Sequence, residues 1–251
     1  MSSTKEEAPA VRVLGLWASP FVIRVLIALR LKGVEHEVLE EVVGKKSELL
    51  LKSNPVHKKI PVLLHHDKPI SESLIIVQYM DEVWSSNAPA ILPADPYTRA
   101  VERFWGQYID DKQLRVNWMC ASLNDEQFPS AIRVLKGTDG GNKDEAAEQL
   151  STALQLLEEA FLKLSNGKHY FGGDNIGYLD IALGSHVGWV KAVEMIAGVQ
   201  LLDVAKVPHL VAWAERLRAH PAVVDVLPGA DKFVEYSLKY GSFSKPINAS
   251  N

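Results

Sequence analysis

Cysteine is nearly absent: Cys120 is the only one in 251 residues. That excludes an intrachain disulfide and any zinc centre built on cysteines, and it suits a reducing compartment, so the cytoplasm is the expected location. A dominant charge is also missing. With 27 Lys and Arg against 31 Asp and Glu the formal charge is -4. No global basic field follows, and nucleic acid, which is bound largely by neutralising phosphate, is not an expected partner. No apolar run approaches the ~20 residues a membrane span requires. Residues 1–10 carry Lys5, Glu6 and Glu7 in place of the apolar stretch of a secretory signal, so no membrane partner is expected. The eight histidines, among them His57, His65, His66 and His220, show no HExxH or comparable ligand spacing, and no metal is expected. Internal repeats and low-complexity segments are lacking too.

What remains is a chain with 47% hydrophobic residues, enough to fill one generous core or two modest ones, and two domains are expected from its length. Residues 11–17 (VRVLGLW) form a short, apolar, partly β-branched run that predicts a buried strand. Ser19 suits a helix N-cap and Pro20 the first helical position, and the apolar segment up to Leu31 stops at Gly33. Residues 35–41 predict a strand returning beside the first, 47–55 a brief helix, and 60–65 a strand that opens at Pro61, with a cis Ile60-Pro61 bond expected. His66, Asp67 and Lys68 turn the chain, and residues 71–84 predict a helix capped by Ser71. The order is β-α-β-α-β-β-α.

Three prolines between residues 85 and 96 break all periodicity and mark a linker. Beyond it only helical runs occur, over 99–123, 128–136, 143–164, 179–197, 208–219 and 231–240. The expected architecture is an α/β domain over 11–84, the linker 85–96, and an all-α domain over 97–240, with flexible tails at 1–10 and 241–251.

Six strings occur in this order: W-x-SPF at 17–21, KKSELLLKSNPVHKKIPVL at 45–63, ESL at 72–74, LPADPYTRA at 92–100, RFW at 103–105 and YFGGDNIGYLDIAL at 170–183. Jointly, and in register with the α/β then all-α layout, they resemble the plant tau class of glutathione transferases along nearly the whole chain. The resemblance implies a thioredoxin-like N-terminal domain that binds glutathione, a helical C-terminal domain that helps hold a hydrophobic electrophile, and a homodimer. Glutathione would be a co-substrate, with no tightly bound cofactor.

The chemical task of such a protein is to make sulfur anionic. A thiol of pKa about 8.5 is only about 3% thiolate at pH 7, and the thiolate is the nucleophile. Lowering that pKa by about two units requires roughly 2.7 kcal/mol of preferential interaction with the anion. A hydroxyl donor and helix-terminal N–H groups can supply this. From its position alone, Ser19 is either a helix cap or such a donor; the resemblance makes it the catalytic residue, acting as a hydrogen-bond donor and not as a nucleophile. The resemblance also implies that Lys46 and Lys59 hold the glycyl carboxylate, that Ile60 pairs its backbone with the cysteinyl unit, and that Glu72 and Ser73 take the γ-glutamyl end, with Arg24 and Asp110 as polar support. These lysines also read as ordinary solvated charges, and Glu72 as a routine first-turn acid.

Trp17, Phe21, Leu114, Trp118, Trp189, Tyr236 and Tyr240 are candidates to line the electrophile pocket. The six Trp of the chain serve equally well as core anchors. Some relatives carry a cationic residue near Trp118; an aromatic there suits flat neutral electrophiles better than anionic ones. In GYLDIAL, Asp180 is expected to return to the backbone three residues earlier, making half of a capping box because Gly177 has no side chain. Cys120 reads as inert packing. The expected activity is conjugation of glutathione to hydrophobic electrophiles, a detoxification reaction, with hydroperoxide reduction by the same thiolate. The alternative is a non-catalytic carrier of hydrophobic ligands.

Overall fold

A computed structural model describes residues 10–111 and 143–240. The predicted run 128–136, most of the two tails, and Leu114, Trp118 and Cys120 lie outside the described residues. The chain divides into two compact units, Met1–Ala88 and Pro89–Asn251.

The first unit is a four-stranded mixed sheet with three helices: β1 Val11–Gly15, α1 Pro20–Leu31, β2 Glu37–Glu40, α2 Glu48–Ser53, β3 Val62–His65, β4 Lys68–Ser71 and α3 Ser73–Val83. The strand order is β2-β1-β3-β4. β1 pairs parallel to β2 across the α1 crossover, and antiparallel to β3, which pairs antiparallel to β4. This is the β-α-β-α-β-β-α order of the sequence, and the Ile60-Pro61 bond is cis. Pro61 stands just before β3, where its missing N–H leaves no gap in the ladder.

The pleat sorts the side chains. Leu14, Val62 and Leu64 pack with Leu50 of α2 into one apolar cluster, so this face of the sheet is covered by α2. Val13 and Leu63, also in mutual register, point to the opposite face. Gly15 shares that side: a Cβ on it would stand 2.6 Å from Val22 of α1. Helix α1 is accordingly buried almost all round, from Val22 through Leu29, and each Val, Leu or Ile there contributes about 2 kcal/mol of burial.

Among the described residues the second unit is helical: α4 Pro96–Asp111, α5 Lys143–Leu164, α6 Tyr178–Gly184, α7 Val187–Ala197, α8 Pro208–Ala219 and α9 Ala230–Tyr240. The single helix expected over 179–197 is two. The carbonyl of Ala182, which a continuous helix would pair with the His186 N–H, lies 3.2 Å from Ser185 Oγ and 3.1 Å from His186 Nδ1. The His186 N–H turns instead to Leu183 O at 3.0 Å. Local side chains thus compete with the backbone ladder and end it. Among the described residues no helix is long and apolar enough to cross a membrane.

Candidate functional site

The sheet register gathers the predicted residues of the first unit at one end. Gly15, the last residue of β1, pairs with Glu40, the last of β2; Leu14 pairs with Val62, the first of β3; and Val62 pairs with Ser71, the last of β4. The segments that leave β1, β2 and β4 and the one that enters β3 therefore emerge side by side. They carry, respectively, Ser19, Lys46, the pair Glu72 and Ser73, and the pair Lys59 and Ile60. Ligand sites in open sheets with parallel strands favour the carboxyl ends, which is where three of these four segments lie.

Ser19 is the N-cap of α1, with φ -78° and ψ 119°. Its backbone is fixed on both sides: its N–H donates to Leu16 O at 2.9 Å, and its carbonyl accepts from Ile23 N at 3.0 Å. Its side chain is 1% exposed. The Oγ accepts a long 3.4 Å bond from Val22 N, and among the described residues nothing accepts the hydroxyl hydrogen. The helix start thus presents a donor that is buried, positioned and still available. The positive end of the helix dipole adds to its preference for an anion.

Arg24, one turn further along α1, is fully buried. Its Nη1 donates to Ser73 Oγ at 3.2 Å, and its guanidinium lies 5.1 Å from the centre of the Phe21 ring. A buried cation needs such partners, and this one ties the start of α1 to the start of α3.

The α3 start differs from expectation. Ser71 belongs to β4, held in register with Val62, and the N-cap is Glu72, whose side chain makes no capping bond. One residue must turn the chain from strand to helix, so Glu72 takes φ 72° and ψ 113°. For a non-glycine residue that conformation costs about 1–3 kcal/mol and clusters at functional sites. The Glu72 side chain is exposed, and Ser73 beside it is buried.

Lys46 and Lys59 are exposed, but the segments that carry them are held by two buried polar residues with no predicted role. Glu41 accepts from Ser47 N at 3.0 Å and from Ser47 Oγ, while Ser47 Oγ caps α2 by accepting from Leu50 N at 3.0 Å. Asn54 donates from Nδ2 to Lys59 O at 2.9 Å and accepts His57 N on Oδ1 at 3.1 Å. The available signal was the Asn54-Pro55 dipeptide, a turn former; Glu41 gave none.

In the second unit Asp110 is half-buried on α4. Trp189 is 1% exposed and packs on Phe233 at 4.6 Å and edge-on to Tyr236 at 6.5 Å. Tyr236 is itself buried and lies 4.7 Å from the exposed ring of Tyr240. In the first unit Trp17 is exposed and Phe21 half-buried. Asp180 does return to the Gly177 N–H, at 2.8 Å, and it also accepts Phe171 N, Gly172 N and Trp213 Nε1. Burial pushes its carboxyl up to about 6 against these four donors. Gly177 is required by space: a Cβ there would stand 2.8 Å from Gly172 Cα. Among the described residues no group of three or more His, Cys, Asp or Glu is placed to hold a metal ion.

Comparison with known proteins agrees with this architecture in both units. Residues 9–82 match the family model of the glutathione S-transferase N-terminal domain, and residues 111–221 match that of the C-terminal domain. The chain belongs to the glutathione S-transferase family and to its tau class. Glutathione S-transferase U17 of Arabidopsis thaliana is 50% identical over 94% of this chain and 97% of its own. A tau class glutathione S-transferase from mango, known from its crystal structure, is 48% identical with a TM-score of 0.82, covering 92% of this chain and 98% of that one. A rice glutathione S-transferase crystallised with glutathione is 34% identical with a TM-score of 0.77, covering 93% and 98%.

Proposed function

We propose that this chain is a glutathione transferase that conjugates glutathione to hydrophobic electrophiles, with the Ser19 hydroxyl activating the thiol. The observation that carries the mechanism is Ser19 itself: a hydroxyl 1% exposed, fixed at a helix N-terminus, with only a 3.4 Å capping bond. A serine whose sole task was capping would be expected nearer the usual 2.9–3.0 Å. The hydroxyl donates to the glutathione sulfur, and with the N–H groups at the α1 start it favours the thiolate. The thiolate then attacks an electrophilic carbon and displaces a leaving group such as chloride. It also reduces organic hydroperoxides to alcohols, taking one oxygen as glutathione sulfenic acid, which a second glutathione converts to the disulfide and water.

Lys46 and Lys59 hold the glycyl carboxylate, the Ile60 backbone pairs with the cysteinyl unit, and Glu72 with Ser73 binds the γ-glutamyl end. Arg24 holds Ser73 in place through the 3.2 Å bond, and Asp110 gives further polar support. Trp17, Phe21, Leu114, Trp118, Trp189, Tyr236 and Tyr240 are the candidates to line the electrophile pocket. Glutathione is a co-substrate, and no cofactor is held tightly. The protein works as a homodimer in the cytosol, in detoxification. The transferase reading is favoured over a carrier, because the similar proteins are named as glutathione S-transferases.

Steady-state conjugation of a chlorinated aromatic tests this. Ser19→Ala should lower kcat/KM about a hundredfold, the usual effect of removing one donor from a developing anion. Its pH–rate profile should shift upward toward the free thiol while the fold persists. Near-normal turnover in that variant would refute the assignment.

A further inference from the structure

The helical unit contains a cleft that the chemistry above leaves unused. Its volume is about 390 Å³, within the range of small-molecule sites. The strand of chain before α4 forms one wall with Ile91 and Leu92, Phe171 stands in another, and Glu102 of α4 joins them. Glu102 is 2% exposed, and its Oε2 is buried without a hydrogen-bond partner among the described residues.

Buried carboxyl oxygens are almost always paired, so a buried, unpaired Oε2 on a residue that lines a cleft points to a ligand as its partner. Burial and the charge of Asp180 push the Glu102 carboxyl up to about 8. Asp180 offers no donor in return, because its oxygens are engaged by Phe171 N, Gly172 N, Gly177 N and Trp213 Nε1. Among the described residues, the two cations beside the cleft have partners of their own. Lys168, in the cleft wall, is neutralised by Asp174 at 2.6 Å, and Arg99 reaches Pro93 O at 3.4 Å. The cleft therefore combines an apolar wall, an unpaired acceptor and a negative neighbour.

That combination fits a donor carrying positive charge on a short apolar arm. We propose that this cleft is a second ligand site, which takes a small primary alkylammonium whose head pairs with Glu102 and whose arm lies on Ile91, Leu92 and Phe171. Near neutral pH the carboxyl is protonated when empty. Binding replaces its O–H with an ammonium–carboxylate pair, and the proton goes to the buffer. The site shares no residue with the glutathione-binding set.

Hexylamine hydrochloride, titrated calorimetrically into the full chain with glutathione present, tests the proposal. Near neutral pH, in two buffers of different ionisation enthalpy, saturable binding of one amine per chain is expected with release of close to one proton. Glu102→Gln, which keeps the side-chain shape, should bind hexylamine at least tenfold more weakly while retaining its helical circular dichroism. 1-Hexanol, with the same arm and no charge, should not compete. Absence of saturable binding, equal affinity in the variant, or equal binding of the alcohol each overturns the proposal. Should the variant fail to fold, the wild-type proton release decides alone, and heats that do not depend on the buffer overturn it.

Discussion

Ser19 and Glu72 are both placed by the backbone in ways that leave their polar atoms available, and for opposite reasons. Ser19 has an unstrained extended conformation, and its Oγ accepts a long bond from Val22 N. Glu72 is held at φ 72° with a side chain that caps nothing. A residue kept in a strained conformation whose side chain makes no capping bond to compensate points to a ligand as the reason. In the proposed site the Glu72 carboxylate accepts from the glutathione ammonium, and the exposed Lys59 pairs with the glycyl carboxylate. Lys59→Ala and Glu72→Ala should each raise the KM for glutathione about tenfold with a smaller change in kcat, since charged hydrogen bonds contribute about 1.5–3 kcal/mol and these side chains are partly screened. Unchanged KM in both variants would remove this assignment of the glutathione ends.

At the scale of elements, the approach of α1 to the sheet sets the position of Ser19. That approach depends on Gly15, where a Cβ would come within 2.6 Å of Cγ1 of Val22, the third residue of the helix that Ser19 caps. Gly15→Ala must push the first turn of α1 outward. Overpacking of this kind costs about 1–3 kcal/mol, and the displaced hydroxyl should lower kcat/KM by more than the stability loss accounts for. Denaturation midpoints and kinetics on the same preparation separate the two effects, and a variant with wild-type values in both would show that the sheet tolerates the methyl. Asp180 works on α6 in the other unit. Removing its carboxylate in Asp180→Ala strands four N–H donors in a fully buried place, so a loss of about 3 kcal/mol or more in unfolding free energy is expected, with kcat of the remaining folded protein little changed.

The same elements show what was legible in the sequence. Strand and helix order in the first unit followed from run length, β-branching and the Ser19-Pro20 start, because these are local signals. The Asp180 return to Gly177 was legible for the same reason. Its bonds to Phe171, Gly172 and Trp213 were not, since they join residues between eight and thirty-three positions apart. The break between α6 and α7 was hidden because Ser185 and His186 sit within an unbroken apolar helical pattern, and the break shows in their side-chain bonds to Ala182 O. Ser71 looked like a cap because sequence cannot tell that the β4 ladder already holds it. The roles of Asn54 and Glu41 in holding the lysine-bearing loops depend on bonds that no spacing rule records.

For the molecule as a whole, two buried carboxyls, Glu102 and Asp180, make stability depend on pH. Glu102 titrates near 4.5 ordinarily and is pushed up to about 8 in the fold, by burial first and by Asp180 second. Between those values the folded chain holds a proton that the unfolded chain has released, so stability must fall as pH rises through the window. The contribution is fully present below about 4.5 and is lost as pH climbs through about 8. Asp180, raised to about 6, acts in the same direction over a lower range. Replacing Glu102 by Gln removes the larger of these titrations and keeps the volume. In denaturation measurements without added amine, Glu102→Gln should gain on the wild type as pH is raised from mildly acid to mildly alkaline, by an amount of the order of a few kcal/mol. Parallel stability curves for the two proteins across that range would mean that Glu102 is ionised and paired in the fold, and that its burial carries no pH cost.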